Sequence, residues 1–123
     1  MLRTIEARIR QQQIGNVEIV QGAEDDARLP EGAIDLALLV DVYHELRQPQ
    51  ALLRSVYGSL RPNGRLVLVE YRGEDPRIPI AATHRMSVAA ARVEIEAEGF
   101  AFERVIDGLP RQHIIVFRKI VPQ

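Results

Sequence analysis

The chain has 123 residues, which is the length of one compact domain. Its 46% hydrophobic and 27% charged content is typical of a soluble globular protein and excludes disordered and fibrous classes. With 16 basic and 17 acidic residues the net charge is −1, so charge favours neither nucleic acid nor an anionic membrane as a partner. The absence of cysteine excludes disulfides, cysteine zinc sites and thiol catalysis.

The first 20 residues predict a helix followed by a strand. Charged and apolar residues alternate from Met1 to Arg10, which indicates neither a signal peptide nor a membrane span, and we expect a cytoplasmic protein. Leu2, Ile5 and Ile9 form one apolar stripe of an amphipathic helix that ends at Gly15-Asn16. The β-branched run Val17–Val20 predicts a short strand.

The rest of the chain alternates apolar strands with helices. Residues 34–42 are almost wholly apolar, which favours a strand covered on both faces. Pro49 begins a helix that Pro62-Asn63-Gly64 terminates, and Leu66–Val69 predicts a second buried strand. Residues 71–86 form a long connection, either a functional lid or a poorly ordered loop.

The last third predicts a helix and a hairpin. Ser87 is an N-cap for a helix that Gly99 ends, and the β-rich runs 100–106 and 113–120 flank a turn. The order of elements predicts an α/β fold with a mainly parallel sheet and one antiparallel strand at the C-terminal end.

Three polar clusters follow the predicted strands, where ligands bind in open parallel sheets. They are residues 22–26, 41–45 and 70–72, and we expect them to be neighbours at one rim of the sheet. The acidic loop 22–26 is either solvated surface, a helix cap or a ligand contact. Asp41 is a stronger candidate, because a carboxylate that ends an apolar run must reach water, a backbone N–H or a ligand.

The remaining candidates have plainer alternatives. His44 is either functional or a core histidine, and residues 70–72 are either a site or an ion pair beside a packed ring. No metal site is predicted, because Leu46-Arg47-Gln48 interrupts the spacing of a two-histidine zinc helix and His84 and His113 show no convergent pattern. No Gly-x-Ser-x-Gly elbow occurs, and no two glycines are separated by a single residue.

The ordered set of segments resembles the second half of class I S-adenosylmethionine-dependent methyltransferases, and the resemblance covers practically the whole chain. The segments that carry it are Asn16–Gly22, Arg28-Leu29-Pro30, Ile34-Asp35-Leu36, Val42–Leu46, Leu60–Leu66 and Glu98-Gly99-Phe100.

The resemblance implies a partial Rossmann-like sheet. The family's strand order is 3-2-1-4-5-7-6 with strand 7 antiparallel. Met1–Gln13 would be the helix after strand 2, and Val17–Val20, Ile34–Val40 and Leu66–Val69 would be strands 3, 4 and 5. The C-terminal hairpin would be strands 6 and 7, making residues 1–123 a single truncated methyltransferase-like domain.

The resemblance also implies roles at the rim. Gly22 and the acidic residues Glu24, Asp25 and Asp26 would lie near the adenine of S-adenosylmethionine, and Asp41 and Val42 along the cofactor. Tyr43, His44 or His84 would be the base or orienter toward a small-molecule methyl acceptor. We favour His44 as the base, because a neutral imidazole can accept a proton near pH 7.

The family's first strand, its Gly-x-Gly-x-Gly turn and the acidic residue that ends strand 2 have no counterpart in this sequence. Without them the methionine and ribose ends of the cofactor lack a recognisable holder, so we expect the chain alone to be weak or inactive in methyl transfer. The same absence would expose the edge of strand 4, which favours a homodimer or strand exchange.

Three hypotheses follow from this comparison. The chain is a weak or silent methyltransferase-like protein, a binding or assembly module that pairs with itself or with a separate chain, or part of a longer enzyme.

Overall fold

The structure is a computed structural model that describes residues 1–122, so Gln123, the last residue of the predicted domain, lies outside it. Two short 3-10 helices span Tyr43–Glu45 and Ala82–His84. The longer elements are α1 (Leu2–Gln11), β1 (Ile34–Val40), α2 (Pro49–Ser59), β2 (Leu60–Arg72), β3 (Arg85–Met86), α3 (Val88–Glu96), β4 (Phe100–Ile106) and β5 (Gln112–Lys119).

The five strands form one sheet in the order β1-β2-β5-β4, with β3 paired to the end of β2. β1 and β3 run parallel to β2, whereas β5 is antiparallel to both β2 and β4. This is the order 4-5-7-6 that the resemblance implies for the second half of the family's sheet. The predicted α/β class, a partial Rossmann-like sheet with an antiparallel C-terminal hairpin, is confirmed.

The core lies on one face of this sheet. Helix α2 contributes Leu53 and Val56, and helix α3 contributes Ala91 and Ile95, all buried. Pro49 at the first turn and Ser87, whose side chain accepts a hydrogen bond from the backbone N–H of Ala90, start the two helices where the sequence predicts. The strand residues that meet these helices are Leu66, Leu68, Phe100, Ile115 and Phe117.

The expectation that β1 is covered on both faces is wrong. Leu36, Leu38 and Val40 are 51, 58 and 48% exposed, while Ala37 and Leu39 between them pack against the core. β1 is an edge strand, and both core helices pack on the opposite face of the sheet. An apolar sequence run alone does not distinguish this half-covered edge from a strand that is covered on both faces.

The predicted strand at Val17–Val20 is also wrong. Within residues 1–122 this segment belongs to no strand, and Val17 and Val20 are 46 and 42% exposed. A strand needs a neighbour for its N–H and C=O groups, and β1 does not take that place. Helix α1 before it forms close to its predicted bounds, but none of its residues is buried.

Two further details differ from the sequence prediction. Pro62-Asn63-Gly64 interrupts the pairing of β2 with β1 rather than preceding the strand, because the pairs Ile34–Leu60 and Leu36–Arg65 flank an irregularity. The connection after β2 contains the Ala82–His84 helix and β3. Among the helices described, none is long and apolar enough to span a membrane.

Candidate functional site

A histidine–carboxylate pair occupies the rim at the carboxyl ends of β1 and β2. Glu70 Oε2 lies 2.7 Å from Nδ1 of His44, and Glu70 Oε1 accepts a hydrogen bond of 3.2 Å from the backbone N–H of the same residue. The Glu70 side chain is fully buried. Because the carboxylate accepts from both groups, we assign the ring proton to Nδ1, which leaves Nε2 as an acceptor facing the rim.

The backbone explains how His44 reaches this position. β1 ends at Val40, and Asp41 adopts a left-handed conformation (φ +53°) with its N–H bonded to the carbonyl of Val69 on β2. The chain then turns into the 3-10 helix Tyr43–Glu45. A positive φ at a non-glycine residue is uncommon and carries strain, so Asp41 marks a point where the surrounding structure dictates the turn.

Asp41 has one satisfied and one free oxygen. Its Oδ2 accepts a 2.6 Å hydrogen bond from Nε2 of Gln112 on β5. Its Oδ1 is buried and has no hydrogen-bond partner among the residues described. The expectation that this carboxylate must reach a polar partner is therefore met for one oxygen, and a buried acceptor remains available to a donor.

Tyr43 differs from His44 although it is adjacent in sequence. Its ring is in the core, 3% exposed, and its buried hydroxyl makes no hydrogen bond within the described chain. Burial raises the pKa of the Tyr43 phenol above its usual value, and the nearby charge of Glu94 raises it further. Tyr43 therefore keeps its proton at neutral pH.

His84 meets His44 across the rim. The two ring centroids are 5.4 Å apart in an edge-to-face arrangement. The expectation that His84 shows no convergence with the other histidines is wrong, because the turn at Ala82–His84 brings residue 84 back to the end of β1. His113 is buried on β5, directly opposite Glu70 of β2, and its Nε2 is 2.8 Å from the carbonyl oxygen of Met86.

The rim residues surround an open cleft of about 410 Å³. Its lining includes Asp41, His44, Glu45, Tyr71, Ile80 and His84. Two of the three predicted clusters, residues 41–45 and 70–72, are thus neighbours. Arg72 has a structural role instead, bonding Asp107 and the carbonyls of Leu109 and Pro110.

The acidic loop does not line this cleft. Gly22 precedes a tight turn closed by Ala23 and Asp26, and Asp26 Oδ1 caps the backbone N–H of Arg28. Glu24 lies 3.8 Å from Arg47, which follows the 3-10 helix of His44, while Asp25 and Val42 are exposed. The Glu24–Arg47 ion pair connects the loop to residues 41–47.

Three contributors to the site are not evident from the sequence. Glu70 was part of a rim cluster, but its role as the partner of His44 was not predicted, and neither Gln112 nor Glu45 was singled out as a site residue. A polar residue within the apolar run 66–70 was the available signal for Glu70, since a buried carboxylate needs partners. Nothing in the sequence pairs Gln112 with Asp41.

Solved structures of low sequence identity share this fold. An S-adenosylmethionine-dependent methyltransferase from Aquifex aeolicus matches with a TM-score of 0.83 at 18% identity, over 93% of this chain and 61% of that one. The [4+2]-cyclase SpnF matches with a TM-score of 0.77 at 14% identity, over 95% of this chain and 61% of that one. PigF, solved with SAH, matches with a TM-score of 0.73 at 18% identity, over 96% of this chain and 40% of that one.

These matches show the fold, and the chain spans about three fifths of the length of the first two structures. No curated protein matches the sequence significantly. A family model described as a methyltransferase domain matches residues 1–68, which is more than half of the chain. The chain therefore belongs to the methyltransferase-domain family.

Proposed function

We propose that this chain supplies the acceptor side of an S-adenosylmethionine-dependent methyltransferase site, with His44 as the general base. The observation that carries the proposal is the pair His44–Glu70. The buried carboxylate fixes the ring and its tautomer, and Nε2 faces a cleft large enough for part of a small molecule.

The chemistry of this half-site is proton removal. A hydroxyl or amine acceptor placed in the cleft donates its hydrogen to Nε2 of His44, and Glu70 stabilises the imidazolium that results. His84 and Glu45 flank the same nitrogen, so they contact the acceptor rather than the core. Tyr43, with its raised pKa, packs beneath the site.

The residues present fit one part of the cofactor only. The buried Oδ1 of Asp41, which has no partner among the described residues, is an acceptor for a hydroxyl or amino hydrogen, and the Glu24–Arg47 ion pair links the acidic loop to residues 41–47. No two of the eight glycines are separated by a single residue, so the sequence contains no glycine-rich turn that would admit the rest of the cofactor. We therefore expect weak or absent methyl transfer by this chain alone.

Calorimetric titration of the purified chain with S-adenosylhomocysteine tests the proposal. We expect weak one-site binding that Asp41→Asn reduces about tenfold or more, since a hydrogen bond to a carboxylate contributes about 1.5–3 kcal/mol. Asp35→Asn, an exposed carboxylate paired with Arg61 at the other end of β1, is the matched control and should bind as the parent does. Absence of binding, or equal affinity in Asp41→Asn, contradicts the proposal.

A second candidate function is an assembly module that pairs with a second copy of itself. The unpaired edge of β1 and its exposed Leu36, Leu38 and Val40 favour this reading, because unpaired strand edges recruit further strands. Pairing two β1 edges would continue the sheet across the two copies. A dimer mass in light scattering together with no S-adenosylhomocysteine binding would support this candidate over the first.

A further inference from the structure

Three potential metal ligands converge at the mouth of the cleft. One nitrogen each of His44 and His84 and one carboxylate oxygen of Glu45 all lie within 4.8 Å of one another. Within the cluster, His44 Nε2 and Glu45 Oε1 are 3.6 Å apart. These residues come from two separate 3-10 helices, so the tertiary fold assembles the cluster.

His44 is already oriented as a metal ligand would be. Its Nδ1 is held at 2.7 Å by the buried Glu70, which leaves Nε2, 3.6 Å from Glu45 Oε1, free to bind a metal. Histidines that bind metals commonly donate their other ring N–H to a carboxylate, which fixes the ring and raises its basicity. Glu70 is therefore an outer-shell partner that is rigid because it is fully buried.

The side chains of Glu45 and His84 have room to move toward a bound metal ion. Glu45 and His84 are exposed, so their side chains can rotate without repacking the core. Zinc bonds to nitrogen and oxygen are about 2.0–2.2 Å, which puts ligand atoms about 3.3 Å apart in a tetrahedral site. The His44–Glu45 distance of 3.6 Å is close to that value, and His84 needs a shift of at most about 1.5 Å.

The ligand types select the class of metal. Two imidazoles and one carboxylate suit Zn²⁺ and related transition ions, whereas Mg²⁺ and Ca²⁺ prefer oxygen ligands. Asp41 lines the same cleft as the three ligands, and the Glu70 carboxylate lies behind His44 at Nδ1, so the negative charge near the cluster favours a cation. Arg85 lines the neighbouring cleft beside His44, but its Nη1 is bonded to the carbonyl of Asp75.

We propose that His44, Glu45 and His84 form a binding site for a divalent transition-metal ion, Zn²⁺ first, with Glu70 as the outer-shell partner of His44. Three protein ligands leave a fourth position for water or a ligand atom. The metal uses the same Nε2 to which the proposed function assigns proton acceptance, so an occupied site excludes that role. The site itself does not depend on the proposed function, since binding is measured on the chain without cofactor or acceptor.

Titration of the EDTA-treated, purified chain with ZnCl2 tests the site directly. We expect one Zn²⁺ per chain, with the affinity reduced about tenfold or more in His84→Ala, and no comparable binding of Mg²⁺. Because residue 84 is exposed, this variant leaves the core intact. Glu31→Gln removes an exposed carboxylate far from the cluster in sequence and should bind Zn²⁺ as the parent does.

Cobalt substitution provides an independent measurement. Co²⁺ in a low-coordinate site with nitrogen and oxygen ligands should give visible absorption bands that His84→Ala and Glu45→Gln weaken. Glu70→Gln should lower Zn²⁺ affinity by about 10-fold or more while leaving the ligand set unchanged. The proposal is overturned if the parent chain does not bind Zn²⁺, or if His84→Ala and the parent bind it equally. A failed S-adenosylhomocysteine titration with intact Zn²⁺ binding would reject the proposed function and retain this site.

Discussion

Replacing Glu70 by glutamine exchanges one carboxylate oxygen for an NH2 group at a fully buried position. In the parent chain the two oxygens accept from Nδ1 and from the backbone N–H of His44, at 2.7 and 3.2 Å. The amide has a single acceptor oxygen. In the variant either one of the two His44 donors faces the NH2 group, which is itself a donor, or the ring proton moves to Nε2 and Nδ1 accepts from the amide.

The loss of one acceptor oxygen lowers the free energy of unfolding. In both cases a hydrogen bond to a charged group is lost, which costs about 1.5–3 kcal/mol of unfolding free energy. The relief of burying a carboxylate offsets part of this cost, so we place the expected loss at about 2 kcal/mol. The side chains of both partners are largely shielded from solvent, with exposed fractions of 9 and 0%, so screening by water reduces the effect little.

Urea denaturation followed by circular dichroism measures this loss. The matched control is Glu31→Gln, an exposed residue that should change the unfolding free energy by no more than about 0.5 kcal/mol. A double-mutant cycle that combines Glu70→Gln with His44→Ala should give a coupling energy of about 1 kcal/mol or more.

Equal stability of Glu70→Gln and Glu31→Gln would refute this reasoning. A stability loss without coupling to His44 would also contradict it, because the cost would then arise from another neighbour. In either case Glu70 would not be the group that orients the imidazole, and the proposed base and the proposed metal site would both lose their anchor.

Four further predictions concern the β1 edge, a glycine after β2, a glycine in helix α2 and a surface ion pair. Leu38→Lys, which places a charge on the exposed apolar face of β1, should shift any dimer to monomer in light scattering; an unchanged mass would exclude the β1 edge as the interface. Gly73→Ala should destabilise by about 1–3 kcal/mol in thermal denaturation, because its Cβ would lie 2.6 Å from the backbone nitrogen of Ser87. Gly58→Ala, where the helix surface is open, should stabilise by about 0.5–1 kcal/mol, and the opposite order of the two variants would contradict the packing. The hydrogen bond from Arg65 lowers the pKa of Glu103. The Arg65–Glu103 contact therefore stabilises the fold above the pKa that Glu103 has in the unfolded chain, and this stabilisation is lost as pH falls through the pKa of Glu103 in the folded chain. Glu103→Gln should flatten the fall in melting temperature between about pH 5 and pH 3.

The regular elements were predictable because their signals are local. Helix α2 begins at Pro49 and helix α3 follows the cap at Ser87, as the sequence indicates. The hairpin 100–106 and 112–119 forms as predicted, because alternating apolar residues and a turn specify it within about 20 residues. The mainly parallel sheet was predictable from the alternation of strands and helices, and the order of its strands came from the family resemblance.

The two wrong predictions, a strand at Val17–Val20 and a β1 strand covered on both faces, share a physical cause. Val17–Val20 has the composition of a strand but has no partner in the described sheet, and strand formation depends on a partner. The apolar run of β1 is consistent with a strand covered on both faces, yet nothing in a single strand records whether helices cover both of its faces.

The sequence by itself determined the helices, the hairpin, the order of the strands through the family resemblance, and the placement of Asp41 and His44 after a strand. Only the tertiary structure decided that Glu70 holds His44, that Gln112 holds Asp41, and that His84 meets His44 across the rim. These contacts join residues 26, 71 and 40 positions apart in the chain, and helical or strand periodicity reports only on neighbours a few residues away. The site therefore emerges where distant segments pack together, because packing rather than local preference sets which polar groups share a buried space.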